Sequence, residues 1–220
     1  MIGALHCDAN PFDMPFMRAT SCARTLLQAF ASGVSQLRVD VELPEQDLEQ
    51  ELDALHARWI SRGSGLTQVD DLHLPGHALT FWMREADGEY FIYVVDPARD
   101  RLAAYIVMSR LIELDRRADR HLRSPHSKVA AEYRRMGIAS TVYRWWLASG
   151  RSLISGARQS PAADTLWRSL ALDHLTVYVS IAGKRVRTLH PPLSAEARDD
   201  IHTRRVLLAS DSALDAFASR

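Results

Sequence analysis

The chain has 220 residues and a hydrophobic content of 47%, enough for one large packed domain, with or without an appendage. Its 27 basic and 27 acidic residues give a net charge of zero, which argues against broad electrostatic capture of nucleic acid. No apolar run approaches the roughly 18 residues of a membrane span, and Asp8, Asn10 and Pro11 interrupt any signal-peptide core. Cys7 and Cys22 lack metal-ligand spacing, so we predict no metal, no disulfide framework, and a soluble protein of the reducing cytoplasm.

The N-terminal third predicts two helices separated by a strand. Apolar residues recur at helical spacing over Arg18 to Ser32 and alternate with charged residues over Leu37 to Glu42. A second helix is predicted over Glu45 to Ser61, with acidic residues near its start and arginines near its end, as the helix dipole favours. The acidic run also suits a basic substrate, but a solvated helix face is the preferred interpretation.

An antiparallel meander is predicted next. Gly63 to Gly76 is rich in turn formers and marks a domain boundary or a mobile segment over a site. Strands are then predicted over His77 to Arg84, Glu89 to Asp96 and Arg101 to Leu114, because turn-forming residues separate three β-rich runs.

An arginine-rich segment follows the meander. Arg110 to Arg123 contains five arginines, His121 and three acidic residues. A nucleic-acid surface is one interpretation, but a charged loop between strands is preferred, since no aromatic residues interleave for base stacking.

The most informative segment is Val129 to Ser149, which predicts a strand, a tight turn and a helix. Gly137 provides a position where the backbone can bend, and apolar residues recur at helical spacing from Ile138 onward. The first N–H groups of such a helix have no partner within it and its start is electropositive, so a pyrophosphate can bind there. Arg134 and Arg135 add positive charge at the same place.

The remaining chain predicts five further elements. We expect a short strand over Ser152 to Ser155, a helix over Ser160 to Leu170, and a hairpin of Leu175 to Ile181 with Arg185 to Leu189. Helical structure is predicted over Ser194 to Arg220.

Arg134, Gly137 and Ala139 match the signature R/Q-x-x-G-x-G/A, and the segment resembles that of the GNAT superfamily of N-acetyltransferases. In that family the signature holds the pyrophosphate of acetyl-CoA, and the order of elements after it is the same as here. The next helix of many members reads N-x-x-A-x-x-L-Y. The matching positions here are Ser160, Ala163, Leu166 and Trp167.

The resemblance implies an α/β fold with a mixed, largely antiparallel sheet flanked by helices. The acetyl-CoA-binding core would span residues 77–189, with a helical and strand segment of residues 1–76 packed on it and a helical extension over 190–220. Carried over position by position, the cofactor-binding residues are Val129, Ala130, Ala131, Arg134, Arg135, Met136, Gly137, Ile138, Ala139, Ser140, Ser160 and Trp167.

The implied reaction is direct transfer of an acetyl group from acetyl-CoA to an amine in a ternary complex. In the family a backbone N–H of the splayed signature strand stabilises the thioester oxygen, and the matching positions are Val129 to Ala131. The amine must also lose a proton to a base. Candidates are Glu113, His126 and Glu132, with Glu113 preferred and a surface salt bridge as its equally weighted alternative.

The leaving thiolate usually receives its proton from a tyrosine in this family. Trp167 occupies that position here, and an indole N–H is not a useful acid. Tyr133, Tyr143 and Tyr178 are the substitutes, Tyr178 being retained among the candidate catalytic residues; solvent is the other source.

Three functional classes remain open from the sequence. The preferred one is an acetyltransferase acting on an amine-bearing acceptor, a small molecule or a protein. The second is a non-catalytic module of the same fold that binds acyl-CoA or a protein partner. The third is a nucleic-acid-associated protein that uses the arginine-rich segment. The oligomeric state is open, a homodimer included.

Overall fold

The structure, a computed structural model, describes residues 45–62 and 65–218. These residues form an α/β fold in which helices flank one nine-stranded, mostly antiparallel mixed sheet. The strands are β1 (Thr67–Gln68), β2 (Thr80–Ala86), β3 (Glu89–Asp96), β4 (Arg101–Ser109), β5 (Leu122–Val129), β6 (Ser152–Ile154), β7 (Thr176–Ala182), β8 (Arg185–Leu189) and β9 (Thr203–Leu207). The helices are α1 (Glu45–Arg62), α2 (Arg116–Asp119), α3 (Ile138–Ala148), α4 (Pro161–Leu170), α5 (Ala195–Asp199) and α6 (Ala213–Phe217). The helix and strand predicted before residue 45, together with Cys7 and Cys22, lie outside the described residues.

The predicted meander is confirmed, with changes at its ends. Asp87 and Gly88 both adopt positive φ angles, of 55° and 76°, which is the conformation of a tight two-residue hairpin turn. β2 and β3 pair in register from Ala86 opposite Glu89. The observed β2 begins three residues later than predicted, at Thr80.

The predicted third strand is too long, because the chain leaves the sheet after Ser109. The buried carboxylate of Asp119 accepts hydrogen bonds from the backbone N–H of Leu111 at 3.1 Å and from Arg110 Nε at 2.8 Å. A loop and the short helix α2 therefore connect β4 to β5, as expected of a charged connection between strands. Arg117 of the same segment also bonds within the chain, since it donates to the backbone carbonyls of Asp215 and Ala216 in α6.

The strand order is β1-β2-β3-β4-β5-β6-β9-β7-β8. The prediction of a helical C-terminal tail is wrong here, because β9 lies in the sheet between β6 and β7. All five residues of β9 are buried, including Arg204 and Arg205. Helical structure in the tail is confined, within the described residues, to α5 and α6.

Two apolar cores lie on opposite faces of the sheet. Successive residues of a strand point to opposite faces, and Leu153 belongs to the core under α3 and α4 whereas Ile154 belongs to the core under α2 and α6. We call these the first face and the second face. Trp146 of α3, fully buried, and Phe217 of α6 are among the large side chains that fill them.

α1 confirms the second predicted helix and extends it by one residue. Its Leu52 is buried. Glu49 forms an ion pair with Arg101 of β4 at 2.9 Å, and Glu51 pairs with Lys128 of β5. These contacts hold α1 against the same two strands that lead to the signature turn.

Candidate functional site

The site begins where the parallel strands β5 and β6 separate. Their pairing in the described sheet consists of Leu122 opposite Ser152 and Arg123 opposite Leu153. Beyond that point β5 stays paired with β4 as far as Val129, whereas β6 pairs with β9. A gap therefore opens between the carboxyl ends of two neighbouring strands, where α/β sheets commonly bind ligands.

The turn between β5 and α3 presents free backbone donors. Gly137 adopts a φ of 90° and its carbonyl accepts from the N–H of Thr141 at 2.9 Å, which is the first full helical hydrogen bond. Within the part of the chain that the structure describes, the N–H groups of Gly137 to Ser140 have no acceptor. The first turn of α3 carries no acidic residue. This end of α3 is therefore an electropositive cluster of donors.

A clamp of three side chains holds the turn on the sheet. The hydroxyl of the buried Tyr133 donates to Asp96 at 2.7 Å, and Arg99 donates to that hydroxyl and to Asp96, each at 3.2 Å. The hydrogen bond from Tyr133 lowers the pKa of Asp96 against the opposing effect of burial. Burial and the Asp96 contact raise the pKa of Tyr133, and its hydroxyl is engaged by Asp96 and Arg99 in this clamp.

Two of the three N–H groups expected to face a thioester oxygen are already bonded. Ala130 donates to the carbonyl of Ala103 at 3.0 Å, and Ala131 donates to the Glu49 carboxylate at 2.8 Å. Val129 ends β5 and is half-buried. Of the matched cofactor positions, Arg134 and Arg135 are exposed, and Met136, Ala139 and Ser140 are half-buried around the helix start.

A cleft of about 220 Å³ opens on the second face at the gap between β5 and β6. It contains an ion pair in which Arg204 Nη2 lies 3.1 Å from Glu113 Oε1. The Arg204 side chain is 6% exposed and that of Glu113 is 43% exposed. Arg204 also donates to the backbone carbonyls of Ile201 and Thr203, which fix its position. The lining residues are Ser109, Arg110, Leu111, Ile112, Glu113, Ser124, His126, Ser155, Gly156, Ala157 and Arg204.

His126 and Glu113, two of the predicted catalytic residues, thus lie in one cleft. His126 is exposed on β5 and has no hydrogen-bond or ion-pair partner among the described residues. Desolvation by the cleft walls lowers its pKa; the Glu89 carboxylate opposes this shift and the Lys128 ammonium adds to it. This lowering favours the uncharged imidazole, the form that can accept a proton.

Tyr178, the third predicted catalytic residue, lies elsewhere. It is buried on β7, and Arg205 lies 6.0 Å from its ring centre. Arg205 bonds to Asp164 of α4 at 3.1 Å, which places Tyr178 on the first face, away from the cleft. The structure gives Tyr178 a packing role.

On α4, Trp167 lies at the position where the resemblance leads us to expect a tyrosine. Trp167 is buried and packs edge-on against Tyr143, with ring centres 6.5 Å apart. The Tyr143 hydroxyl lies 2.9 Å from Ser127 Oγ on β5, and burial raises its pKa to about 12. Ser160 caps α4 by accepting from the N–H of Ala163 at 3.2 Å, which confirms its expected capping role.

Arg204 and the segment Ser155 to Ala157 are the site residues that sequence reasoning missed. Sequence reasoning does not predict Arg204 as a site residue, because two adjacent arginines do not indicate a buried strand. The Ser-Gly pair directly after a short apolar strand was a usable signal for a cleft wall at a strand end.

No family model, curated protein or solved structure was found to match this chain. None of the described helices is both long enough and apolar enough to cross a membrane. Across residues 45–62 and 65–218, no cluster of three His, Cys, Asp or Glu side chains is placed to hold a metal ion.

Proposed function

We propose that this chain is a GNAT-like enzyme that transfers an acetyl group from acetyl-CoA to an amine. The observation that carries the proposal is one juxtaposition: the segment after β5, the strand that separates from β6, leads through a short 3-10 helix (Ala131–Tyr133) to the unpaired N–H groups of Gly137 to Ser140. A gap for a thioester arm and a donor cluster for a diphosphate thus follow each other closely along the chain.

The residues present fit the diphosphate of acetyl-CoA. Backbone N–H groups at a helix start bind phosphate oxygens, and the exposed Arg134 and Arg135 add charge beside them. Gly137 has a φ of 90°, which side-chain-bearing residues rarely adopt. When bound, acetyl-CoA supplies an activated acetyl group; the chain's own contribution is to bind it and to receive the acceptor's proton.

The proton of the acceptor is assigned to His126. Glu113, the preferred base from the sequence, already accepts a charged hydrogen bond from Arg204 and is better suited to hold an ammonium group. His126 has no competing partner among the described residues and lines the same cleft. Its lowered pKa keeps the imidazole ready to accept a proton at neutral pH.

A second candidate, a non-catalytic acyl-CoA-binding module, is favoured by one specific observation. Trp167 fills the position of the family's usual acid and is only 3% exposed. Tyr143, its neighbour, is engaged with Ser127. The enzyme proposal therefore requires solvent to protonate the departing thiolate.

Thermal shift with acetyl-CoA tests the proposal. Ligand at about 100 times its dissociation constant stabilises a fold by about 2.7 kcal/mol, so a clear rise in Tm is expected. Gly137→Glu should remove this rise, because it places a carboxylate against the phosphates and a side chain at a positive φ.

Gly150→Glu is the matched control, since Gly150 has a φ of 84° and follows the opposite end of α3. It should lower the basal Tm similarly and keep the acetyl-CoA shift. An acetyl-CoA shift that survives in Gly137→Glu would contradict the placement. Binding by the unmodified chain without CoA release for any amine would favour the non-catalytic module.

A further inference from the structure

We propose that the acceptor is a small zwitterion with an apolar side chain, recognised by the Glu113–Arg204 ion pair. This inference rests on the proposed function and names the substrate class of that same site. A free, hydrophobic α-amino acid has this chemistry. Simple amines and protein amines do not, because they carry no carboxylate next to the reacting nitrogen.

The first argument is charge. The carboxylate of Glu113 is partly exposed in the cleft, whereas the guanidinium of Arg204 is buried and held by two backbone carbonyls. Arg110 also lines the cleft, and the buried Asp119 that accepts from its Nε at 2.8 Å also lies 3.8 Å from Nη1 of Arg123. One carboxylate thus serves two arginines, so that an ammonium can pair with Glu113 while a neighbouring carboxylate meets the remaining positive charge at Arg110.

The second argument is an apolar rim beside the same ion pair. Ile112 precedes Glu113, lines the cleft and is 94% exposed. Covering an exposed isoleucine with an apolar side chain is favourable because it removes apolar surface from water. A ligand that binds the ion pair and carries an apolar side chain would bury Ile112.

The third argument is size. Drug-sized ligands occupy pockets of roughly 300–1,000 Å³, and this cleft of about 220 Å³ is smaller. An amino acid suits such a volume. A lysine side chain or an internal protein amine would bring no carboxylate next to the reacting nitrogen, so the excess of arginine would stay unused.

The chemical step balances with His126 as the base. The ammonium of the acceptor gives one proton to the imidazole, and the nitrogen lone pair forms the new C–N bond to the acetyl carbon. The C–S bond breaks and its electron pair leaves on sulfur. The second proton lost from nitrogen ends on that sulfur or in solvent, and His126 returns its proton to water, so that an amide, free CoA and one proton result.

Isothermal titration of leucine, 3-methylbutylamine and 4-methylpentanoate into the full chain tests the inference, with and without acetyl-CoA. The last two compounds are leucine without its carboxylate and without its amine. We expect leucine to bind at least about tenfold more tightly than either, since one charged hydrogen bond contributes about 1.5–3 kcal/mol. With acetyl-CoA present, leucine should also release CoA fastest.

Glu113→Gln should weaken leucine and 3-methylbutylamine at least about tenfold, because it removes the partner of the ammonium. It should leave 4-methylpentanoate binding at least as tightly as before, because the positive charge of Arg204 then lacks its carboxylate partner. Glu85→Gln, an exposed glutamate of β2 outside the cleft, is the matched control and should change neither. Ile112→Ser should weaken all three compounds together, because it removes the apolar contact that they share.

Equal affinities of leucine and 3-methylbutylamine, or leucine binding unaffected by Glu113→Gln, would overturn the inference. If acetyl-CoA binds and leucine does not, the inference is wrong and the proposed function survives. If leucine binds through Glu113 and acetyl-CoA does not bind, the proposed function is wrong and the cleft remains an amino-acid site.

Discussion

His126 illustrates how one residue acquires a role from its position on a strand. It lies on β5 next to Ser127, whose hydroxyl meets Tyr143 on the first face, so His126 points to the second face and into the cleft. A shift of one residue would exchange these two side chains and place the imidazole on the first face, away from the cleft.

We predict that His126→Asn lowers kcat by about 10²- to 10⁴-fold without changing the affinity for acetyl-CoA. In the unmodified protein, kcat at saturating acceptor should fall as the pH decreases, with a midpoint below the ordinary histidine value near 6.5, because desolvation disfavours the charged imidazole. Glu89 opposes this shift and Lys128 adds to it, and Arg110, Glu113 and Arg204 complete the charged surroundings in the cleft.

His121→Asn is the control for this experiment. His121 is exposed in the turn before β5 and does not line the cleft. Rates that match between His126→Asn and this control at every pH would eliminate His126 as the base.

At the scale of elements, the clamp of Tyr133, Asp96 and Arg99 ties the signature turn to the hairpin of β3 and β4. Tyr133→Phe removes one buried hydrogen bond to a carboxylate, so we expect a loss of about 1.5–3 kcal/mol in the free energy of unfolding near pH 7. Urea unfolding measures this loss. Tyr90→Phe is the control, because the Tyr90 hydroxyl makes no hydrogen bond with the described residues. Its free energy of unfolding should differ from that of the unmodified protein by less than about 0.5 kcal/mol.

The same clamp predicts a pH dependence. The folded pKa of Asp96 lies below the ordinary aspartate value of 3.8, so its stabilisation is fully present above that value and is lost as the pH falls through the folded pKa. The difference in stability between the unmodified protein and Tyr133→Phe should therefore shrink in strong acid. A difference that stays constant from neutral pH to about pH 2 would contradict this account.

Local sequence patterns predicted an element well where a few neighbouring residues determine its geometry. Asp87-Gly88 marks a tight hairpin and Ser160-Pro161 a helix start, because turn and cap geometry depend on a few neighbouring residues. Long-range polar contacts were not predictable in this way. The hydrogen bond from the backbone N–H of Leu111 to the Asp119 carboxylate ends a strand that local propensity would continue.

The site was predictable in part for the same reason. The signature around Gly137 is local, and the structure gives it the expected turn and helix. The ion pair of Glu113 with Arg204 joins residues that are 91 positions apart in the chain, and no local pattern predicts it. Arg204 was assigned to a helical tail, since alternation of apolar and polar residues is absent from its strand.

At the scale of the whole molecule, β9 joins the β7–β8 hairpin to the rest of the sheet. Val206 is fully buried among the apolar residues of the second face. Val206→Asp should cost at least about 3 kcal/mol, because an unpaired carboxylate would lose its hydration. Arg187→Asp on the exposed side of β8 is the control, and it should change the free energy of unfolding by less than about 0.5 kcal/mol. Equal urea midpoints for the two variants would show that β9 is not a structural link.

The place of β9 also sets an order of events during synthesis. Both of its neighbours leave the ribosome before it does, so β6 and β7 each keep one bare edge, and bare edges recruit other chains. A nascent chain halted near residue 200 would therefore be an aggregation hazard that chaperones must shield, although most of its helices and strands are already made.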